Sequence, residues 1–299
     1  MEQFINLWIL GLIGGTLRYA TPLVLAALGG LVCERSGVVN IALEGLMVVG
    51  AFFAIWGSIT FGHWSAGLAC AIVMGVLFSM LHAVPAISYQ ADQIITGTAL
   101  ILIAAGFINF LNLTLFADKG SLANVSRVPE VSLGPLGGIS LLVPVAGLLV
   151  FAVYFVLFRT PWGLHLRAVG EHPKAADTVG INVFRTRYIA VAISGAFAGL
   201  AGAYLSFNVG NYSEGMVGGK GFIALAAVIF GKWNPVGALL ASLLFGFAQA
   251  LGDTIQANEL PVPSEVVTAL PYVITLVALA GFIGKSVAPA AVGKPYAKG

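Results

Sequence analysis

The chain has 299 residues, of which 59% are hydrophobic and only 9% charged, with a formal net charge of +2. A soluble domain carries roughly 25% charged residues, so this composition cannot cover a water-facing surface and describes an integral membrane protein. The small net charge says nothing about nucleic acid, and with no basic tract or aromatic RNA-binding motif no nucleic-acid partner is expected. The apolar runs are continuous over helical lengths rather than alternating in ten-residue segments, so the spans are α-helices and not barrel strands.

In chain order, apolar runs bounded by polar or Gly/Pro residues predict spans near 5–31, 38–59, 64–87, 94–116, 139–158, 188–207, 222–231, 235–252 and 266–284. The first carries Gly14-Gly15 and Arg18, and reads either as one helix or as a peripheral half-helix followed by a span from Tyr19. It lacks a basic leader and a small-residue cleavage site, so it is expected to stay in the membrane. Next comes CERSGVVNIALEGLMVVGAFFA, residues 33–54. Glu34 and Arg35 are expected in a solvated turn closed by Gly37. Asn40 and Glu44, four apart, are expected on one helical face with Met47 and Ala51.

A charge at mid-bilayer costs about 2.5–3.5 kcal/mol, which makes Glu44 a functional candidate. The residues equally allow a structural carboxyl satisfied by nearby backbone N–H groups or hydroxyls. Arg18 is expected to reach the outer interface rather than Glu44. Cys33 and Cys70 lie in or beside apolar runs without metal-ligand spacing and read as small buried hydrophobes.

The most informative polar segment is RTPWGLHLRAVGEHPKAADTVGINVFRTR, residues 159–187. It is far longer than a simple connection needs. Pro173 suits a first helical turn and Gly180 a C-terminal stop, so a two-turn helix capped at both ends is predicted. It serves either as a charged interfacial loop or as a docking element. In the second case Ala175 and Ala176 allow close approach, and Arg167, Glu171, Lys174 and Asp177 make polar contacts.

Further on, NVGNYSEGMVGGKGF, residues 208–222, precedes a run too short to cross a bilayer. It reads as an outer loop or as the unwound entry to a broken or re-entrant helix, with Lys220 near the outer mouth. Lysine and arginine bias puts 159–187 and the tail, with Lys285, Lys294 and Lys298, on the cytoplasmic side. The acidic 253–265 segment falls outside, and the N-terminus falls outside if the first helix is continuous.

Three blocks carry a resemblance. WGLHLRAVGEHPKAADTVGINV resembles the loop motif of ABC importer permeases of the branched-chain amino acid, ribose and nucleoside superfamily. GLVCERSGVVNIALEGLMVVGAF resembles the N-terminal signature of its nucleoside branch, and GGKGFIALAAVIFGKWNPVGALLASLLFG its third signature. The resemblance implies an all-α polytopic permease of the type II importer kind, with about eight to ten transmembrane helices, residues 1–299 forming one permease domain in a bacterial plasma membrane. It implies a coupling helix seated on a cytoplasmic ATPase, formed by Arg167, Gly170, Glu171, His172, Pro173, Lys174, Ala175, Ala176, Asp177 and Gly180. It also implies a second homologous permease and an extracytoplasmic substrate-binding protein. ATP and magnesium belong to the ATPase, and this chain binds no cofactor or metal.

A nucleoside offers a planar base and ribose hydroxyls, so its pathway wants amides, hydroxyls and aromatics. The candidates are Asn40, Glu44, Gln93, Asn109, Asn112, Asn208, Asn211, Tyr212 and Gln249, with Phe107 and Phe207 as stacking surfaces. Branched-chain amino acids, simple sugars and riboflavin-like compounds are the alternative cargoes. A proton-coupled secondary transporter using Glu44 is the alternative class. An intramembrane enzyme is disfavoured, because no metalloprotease or serine-hydrolase motif occurs and His63, His82, His165 and His172 are scattered.

Overall fold

The computed structural model describes residues 2–116, 128–132, 138–258 and 286–298, with scattered positions between 262 and 277. The helices are α1 (Glu2–Arg35), α2 (Leu43–Phe61), α3 (Trp64–Ala83, continued by a π turn over Val84–Ser88), α4 (Gln93–Phe116) and α5 (Leu142–Arg159). They continue with α6 (Pro161–Glu171), α7 (Pro173–Thr178), α8 (Val183–Val209), α9 (Lys220–Phe230) and α10 (Pro235–Ala257). Among the described residues, seven stretches are long and apolar enough to cross a membrane, on α1 to α5, α8 and α10. At 1.5 Å per residue α9 covers only about 16 Å, half a bilayer. The span predicted at 266–284 lies mostly outside the described residues.

Helix α8 is the hub, packing on α1, α2 and α3. Its middle is a run of small residues, and the reason is distance. A Cβ on Gly199 would lie 2.3 Å from the Ala71 carbonyl oxygen of α3, and one on Gly50 of α2 would lie 2.3 Å from the Gly199 carbonyl oxygen. Lipid tails offer helices no hydrophobic gain on association, so close backbone contact between small residues supplies the attraction. The faces left open are apolar: Val73, Leu77 and Leu81 on α3, Leu102 and Phe110 on α4, and Phe151 and Phe155 on α5 are all exposed.

Several expectations are corrected. Helix α1 is continuous, which removes the half-helix reading, and it extends through Glu34 and Arg35. These charges are therefore not in a solvated turn: Glu34 is 6% exposed, and Arg35 is also engaged, as described below. Asn40 and Glu44 do not share a helical stripe, because residues 38–40 are not helical and α2 begins at Leu43. The segment between α4 and α5 contains an antiparallel ribbon, β1 (Glu130–Ser132) with β2 (Gly138–Ser140), where no strand is expected. Residues 253–257, read as loop, complete the last turn of α10.

Two ends of the bundle can be told apart by their contacts. At one end the α1–α2 turn meets α6, the start of α8 and residues 290–294. At the other, Arg18 donates to the Gly138 carbonyl of the ribbon at 3.3 Å. We refer to these as the coupling-loop end and the ribbon end.

Candidate functional site

Two non-helical stretches enter the helical bundle, and each must find partners for its backbone. The first is residues 36–42. The Val39 N–H donates to Gln93 Oε1 at 2.8 Å, and its carbonyl lies 3.0 Å from His82 Nε2. The other ring nitrogen of His82 meets Thr96 Oγ1 at 3.1 Å. Asn40 Nδ2 donates to Ser194 Oγ at 2.9 Å. Ser194 lies well inside α8, roughly 16 Å from its start by helical rise, so the non-helical chain penetrates the bundle before α2 begins. Gln93, Asn40 and His82 are all 3% exposed or less.

The second stretch, residues 210–219, leads into α9. Its end is held by one carboxylate. Glu44 Oε1 accepts from the Gly219 N–H at 2.8 Å and Oε2 from the Gly221 N–H at 2.7 Å. Glu44 stands in the first turn of α2, so its charge faces the N-termini of α2 and α9 together, where partial positive charge gathers. The approach admits nothing larger than glycine: a Cβ on Gly221 would lie 2.4 Å from the Glu44 backbone nitrogen.

The other end of α9 is clamped as well. Trp233 Nε1 donates to Glu34 Oε2 at 2.5 Å, and Arg35 Nε donates to the Trp233 carbonyl at 2.9 Å. Lys232 and Trp233 both have positive φ, 54° and 53°, a costly conformation for residues with side chains. The end of α1 holds that turn in place. The signature stretch 33–44 thus grips both ends of the half-helix.

Beside this half-helix, towards the ribbon end, lies a cavity of about 910 Å³. Its polar lining includes Arg18 and Tyr19 from α1, Tyr204 and Asn208 from α8, Lys220 from α9 and Asp253 from α10. Tyr19 donates its hydroxyl to Asp253 Oδ2, and Gln249 Nε2 donates to Oδ1 at 3.2 Å. Lys220 Nζ is turned back on the carbonyls of Met216 and Val217, at 3.4 and 3.1 Å. The volume suits a drug-sized ligand, and the lining offers donors and acceptors of both signs.

Of the predicted pathway residues, this cavity gathers Asn208 alone. Phe207 joins Asn208, Arg18 and Glu130 around a smaller neighbouring cavity of about 270 Å³. Asn109 donates to Glu214 at 3.3 Å, and Tyr212 packs edge-on against Phe52. Phe107 is 42% exposed on α4 beside Phe78, whereas Asn211 and Asn112 are half-buried. Sequence reading passed over Tyr19, Tyr204 and Asp253. Their signal was a tyrosine or acid interrupting an apolar run, and its meaning depends on which helices meet.

At the coupling-loop end, residues 159–187 fold into two helices where one is predicted. Thr160 caps α6 by accepting from the Gly163 N–H at 3.2 Å, with Pro161 in the first turn. Pro173 opens α7 in its first turn, as expected, and no side chain adds a cap there. Its end closes as predicted: Gly180 has φ +87°, its N–H donates to Asp177, and the Ile181 N–H donates to Ala176. His172, Lys174 and Ala175 are exposed, while Ala176 is turned inward and buried, so it offers no close approach to a partner. Arg167 lies over the Phe158 ring at 5.0 Å.

A bundle of spanning helices interrupted by a clamped half-helix beside a polar cavity defines a polytopic membrane transport protein. The chain matches the family described as branched-chain amino acid transport system / permease component over residues 12–279, and it belongs to that family. It is a transport component and not an enzyme. It is 44% identical to the guanosine ABC transporter permease protein NupQ of Bacillus subtilis, covering 96% of this chain and 97% of that protein. It is 40% identical to the nucleoside ABC transporter permease protein NupC of Lactococcus lactis, covering 96% of each. A second Bacillus subtilis protein, the guanosine ABC transporter permease protein NupP, is 28% identical over 88% of this chain and 80% of its own length. No solved structure matches.

Proposed function

We propose that this chain carries nucleosides across a bacterial plasma membrane as one of two permease subunits of an ATP-driven importer. The observation that carries the reading is the near full-length similarity to NupQ and NupC, whose names specify guanosine and nucleosides. The occurrence of NupP beside NupQ in one bacterium supports a paired, heterodimeric permease. The cavity adds chemical support. Asp253 and Asn208 can accept from or donate to ribose hydroxyls and base edges, and Tyr19 and Tyr204 offer aromatic surface. We take this cavity, with Phe207 at its neighbour, as part of the substrate route, and Glu44 as the residue that fixes the half-helix beside it.

The 159–187 segment serves as the docking element for a cytoplasmic ATPase, which supplies ATP and magnesium. His172, Lys174 and Ala175 are its accessible face, and Glu171, Pro173, Asp177 and Gly180 shape it. The lysine and arginine bias then puts the coupling-loop end and the C-terminus in the cytoplasm. An extracytoplasmic binding protein delivers substrate at the ribbon end.

The test is uptake of labelled guanosine by cells with and without the gene. Uptake is expected to require the gene, to stop when ATP is depleted, and to survive an uncoupler while ATP is maintained. Loss with the uncoupler alone would favour the proton-coupled class, and gene-dependent uptake of leucine or a simple sugar in place of guanosine would overturn the cargo. Deleting residues 173–178 is expected to abolish co-purification with the ATPase.

A further inference from the structure

The last described stretch, residues 286–298, contains no helix or strand, and its small, Pro- and Lys-containing sequence has the composition of a loose terminus. The contacts are of another kind. The Ala291 N–H donates to the Gly170 carbonyl of α6 at 2.9 Å, and the Gly293 N–H donates to the Gly37 carbonyl after α1 at 3.2 Å. The Ala290 N–H donates to Glu171 Oε2 at 3.1 Å. Arg187 of α8 donates from Nη1 to the Lys294 carbonyl at 3.3 Å. Tyr296 is buried with Val169, Ala176 and Val183, its ring 5.5 Å from that of Phe184. Desolvation and the facing Asp177 carboxylate both push the Tyr296 phenol above its ordinary value.

Arg187 shows how much depends on this segment. It is 1% exposed, and among the described residues Nε and Nη2 have no hydrogen-bond partner. The Lys294 carbonyl is the one acceptor found for the guanidinium there. Removing it would leave a buried cation with no acceptor among those residues, an arrangement proteins rarely keep. The α1–α2 turn is packed against the same group: a Cβ on Gly37 would lie 2.9 Å from Arg187 Nη2 and 3.2 Å from the Ala291 carbonyl oxygen. The ends of α1 and α6, helix α7 and the start of α8 are thus bound through one short segment.

We propose that residues 289–297 are a strap that fastens α7 to the end of α1, with Tyr296 and Arg187 as positioning residues, so that displacement of α7 is delivered to the half-helix α9. The inference rests on the reading of 159–187 as the ATPase-docking element. The route is a chain of direct contacts. Ala176 of α7 packs in one buried cluster with Tyr296; residues 290–294 meet Gly37, Gly170 and Arg187; and Glu34 and Arg35, just before Gly37, hold Trp233 at the end of α9. Without the strap, α7 would keep its attachment to α6 and α8, and α6 its packing on the Arg35 carbonyl, but the second tie to α1, through residues 290–294 and Gly37, would be lost.

The experiment uses the assembled transporter with ATPase and partner permease, comparing the full chain with one lacking residues 289–299 and with Tyr296→Ala. Bound ATPase, ATP hydrolysis and guanosine uptake are each measured per purified complex. The strap predicts retained ATPase, hydrolysis within about two-fold, and uptake reduced by about ten-fold or more, the mark of uncoupling. Unchanged uptake per complex, even with fewer complexes formed, would show a purely structural tail and overturn the proposal. If the truncation does not assemble, Tyr296→Ala decides alone, with Tyr296→Phe expected to keep uptake because the ring packing survives. The premise has its own arm: a cysteine placed at exposed Ala175 should cross-link to the ATPase. No cross-link would overturn the docking reading and the strap with it, whereas a normal cross-link with fully coupled truncated protein overturns the strap alone.

Discussion

The two unwound stretches are held in opposite ways. Residues 38–40 are fastened along their length by buried side chains from three helices: His82 of α3, Gln93 of α4 and Ser194 of α8. Residues 210–219 carry four glycines, and the helix that follows is pinned by one side chain, Glu44, at its first turn. Many partners of moderate strength make a stretch that opens only if several bonds break together. One carboxylate holding two N–H groups makes a release point at the start of α9, whose far end stays clamped by Glu34 and Arg35. The difference predicts that the first turn of α9 is released more cheaply than 38–40, which belongs to the frame.

Substitutions that attack the release point should therefore be the most damaging to transport. The largest effect is expected from Gly221→Val, because the new Cβ would fall 2.4 Å from backbone nitrogen that cannot step aside. Assembled transporter is expected with guanosine uptake lost, measured per complex in proteoliposomes; near-normal uptake would mean that α9 need not approach α2. Glu44→Gln comes next. The amide has one oxygen for two N–H groups and sets its own NH₂ against the second. Each lost charge-assisted bond is worth about 1.5–3 kcal/mol, so uptake should fall about ten-fold while the protein still inserts. Wild-type uptake by Glu44→Gln would return Glu44 to a packing role.

The same contrast shows what could be read from the residues. The spans on α1 to α5, α8 and α10 were legible, because hydropathy needs no tertiary information. So was the broken helix, since Phe222–Gly231 is too short to cross and follows a glycine cluster. The end of α1 was not legible. Glu34 and Arg35 look like a solvated turn until Trp233, almost two hundred positions away, supplies their partners. The Asn40–Glu44 stripe failed for a related reason. It assumes helix from residue 38, whereas buried Gln93 and His82 satisfy the Val39 backbone outside any helix. The cavity lining was half-visible. Lys220 was singled out for its place after the glycines, whereas Tyr19, Tyr204 and Asp253 acquire meaning only when α1, α8 and α10 meet.

The frame stretch gives the smallest expected effect on transport and the clearest on stability. In Gln93→Ala the Val39 N–H loses its acceptor inside the bundle, and in His82→Ala the Val39 carbonyl loses its neighbour. An unsatisfied buried backbone group costs about 1–3 kcal/mol, enough to lower the midpoint of thermal unfolding in detergent by several degrees. The two changes act on one residue of one stretch, so their combination should cost less than the sum, and a double-mutant cycle would read that coupling. Uptake per surviving complex should stay within about two-fold of normal if the stretch, held by three helices, keeps its place in the frame. A fall in uptake as deep as that of Glu44→Gln, with unchanged thermal stability, would break the comparison. It would make 38–40 a moving part and Gln93 and Asn40 residues of the route itself.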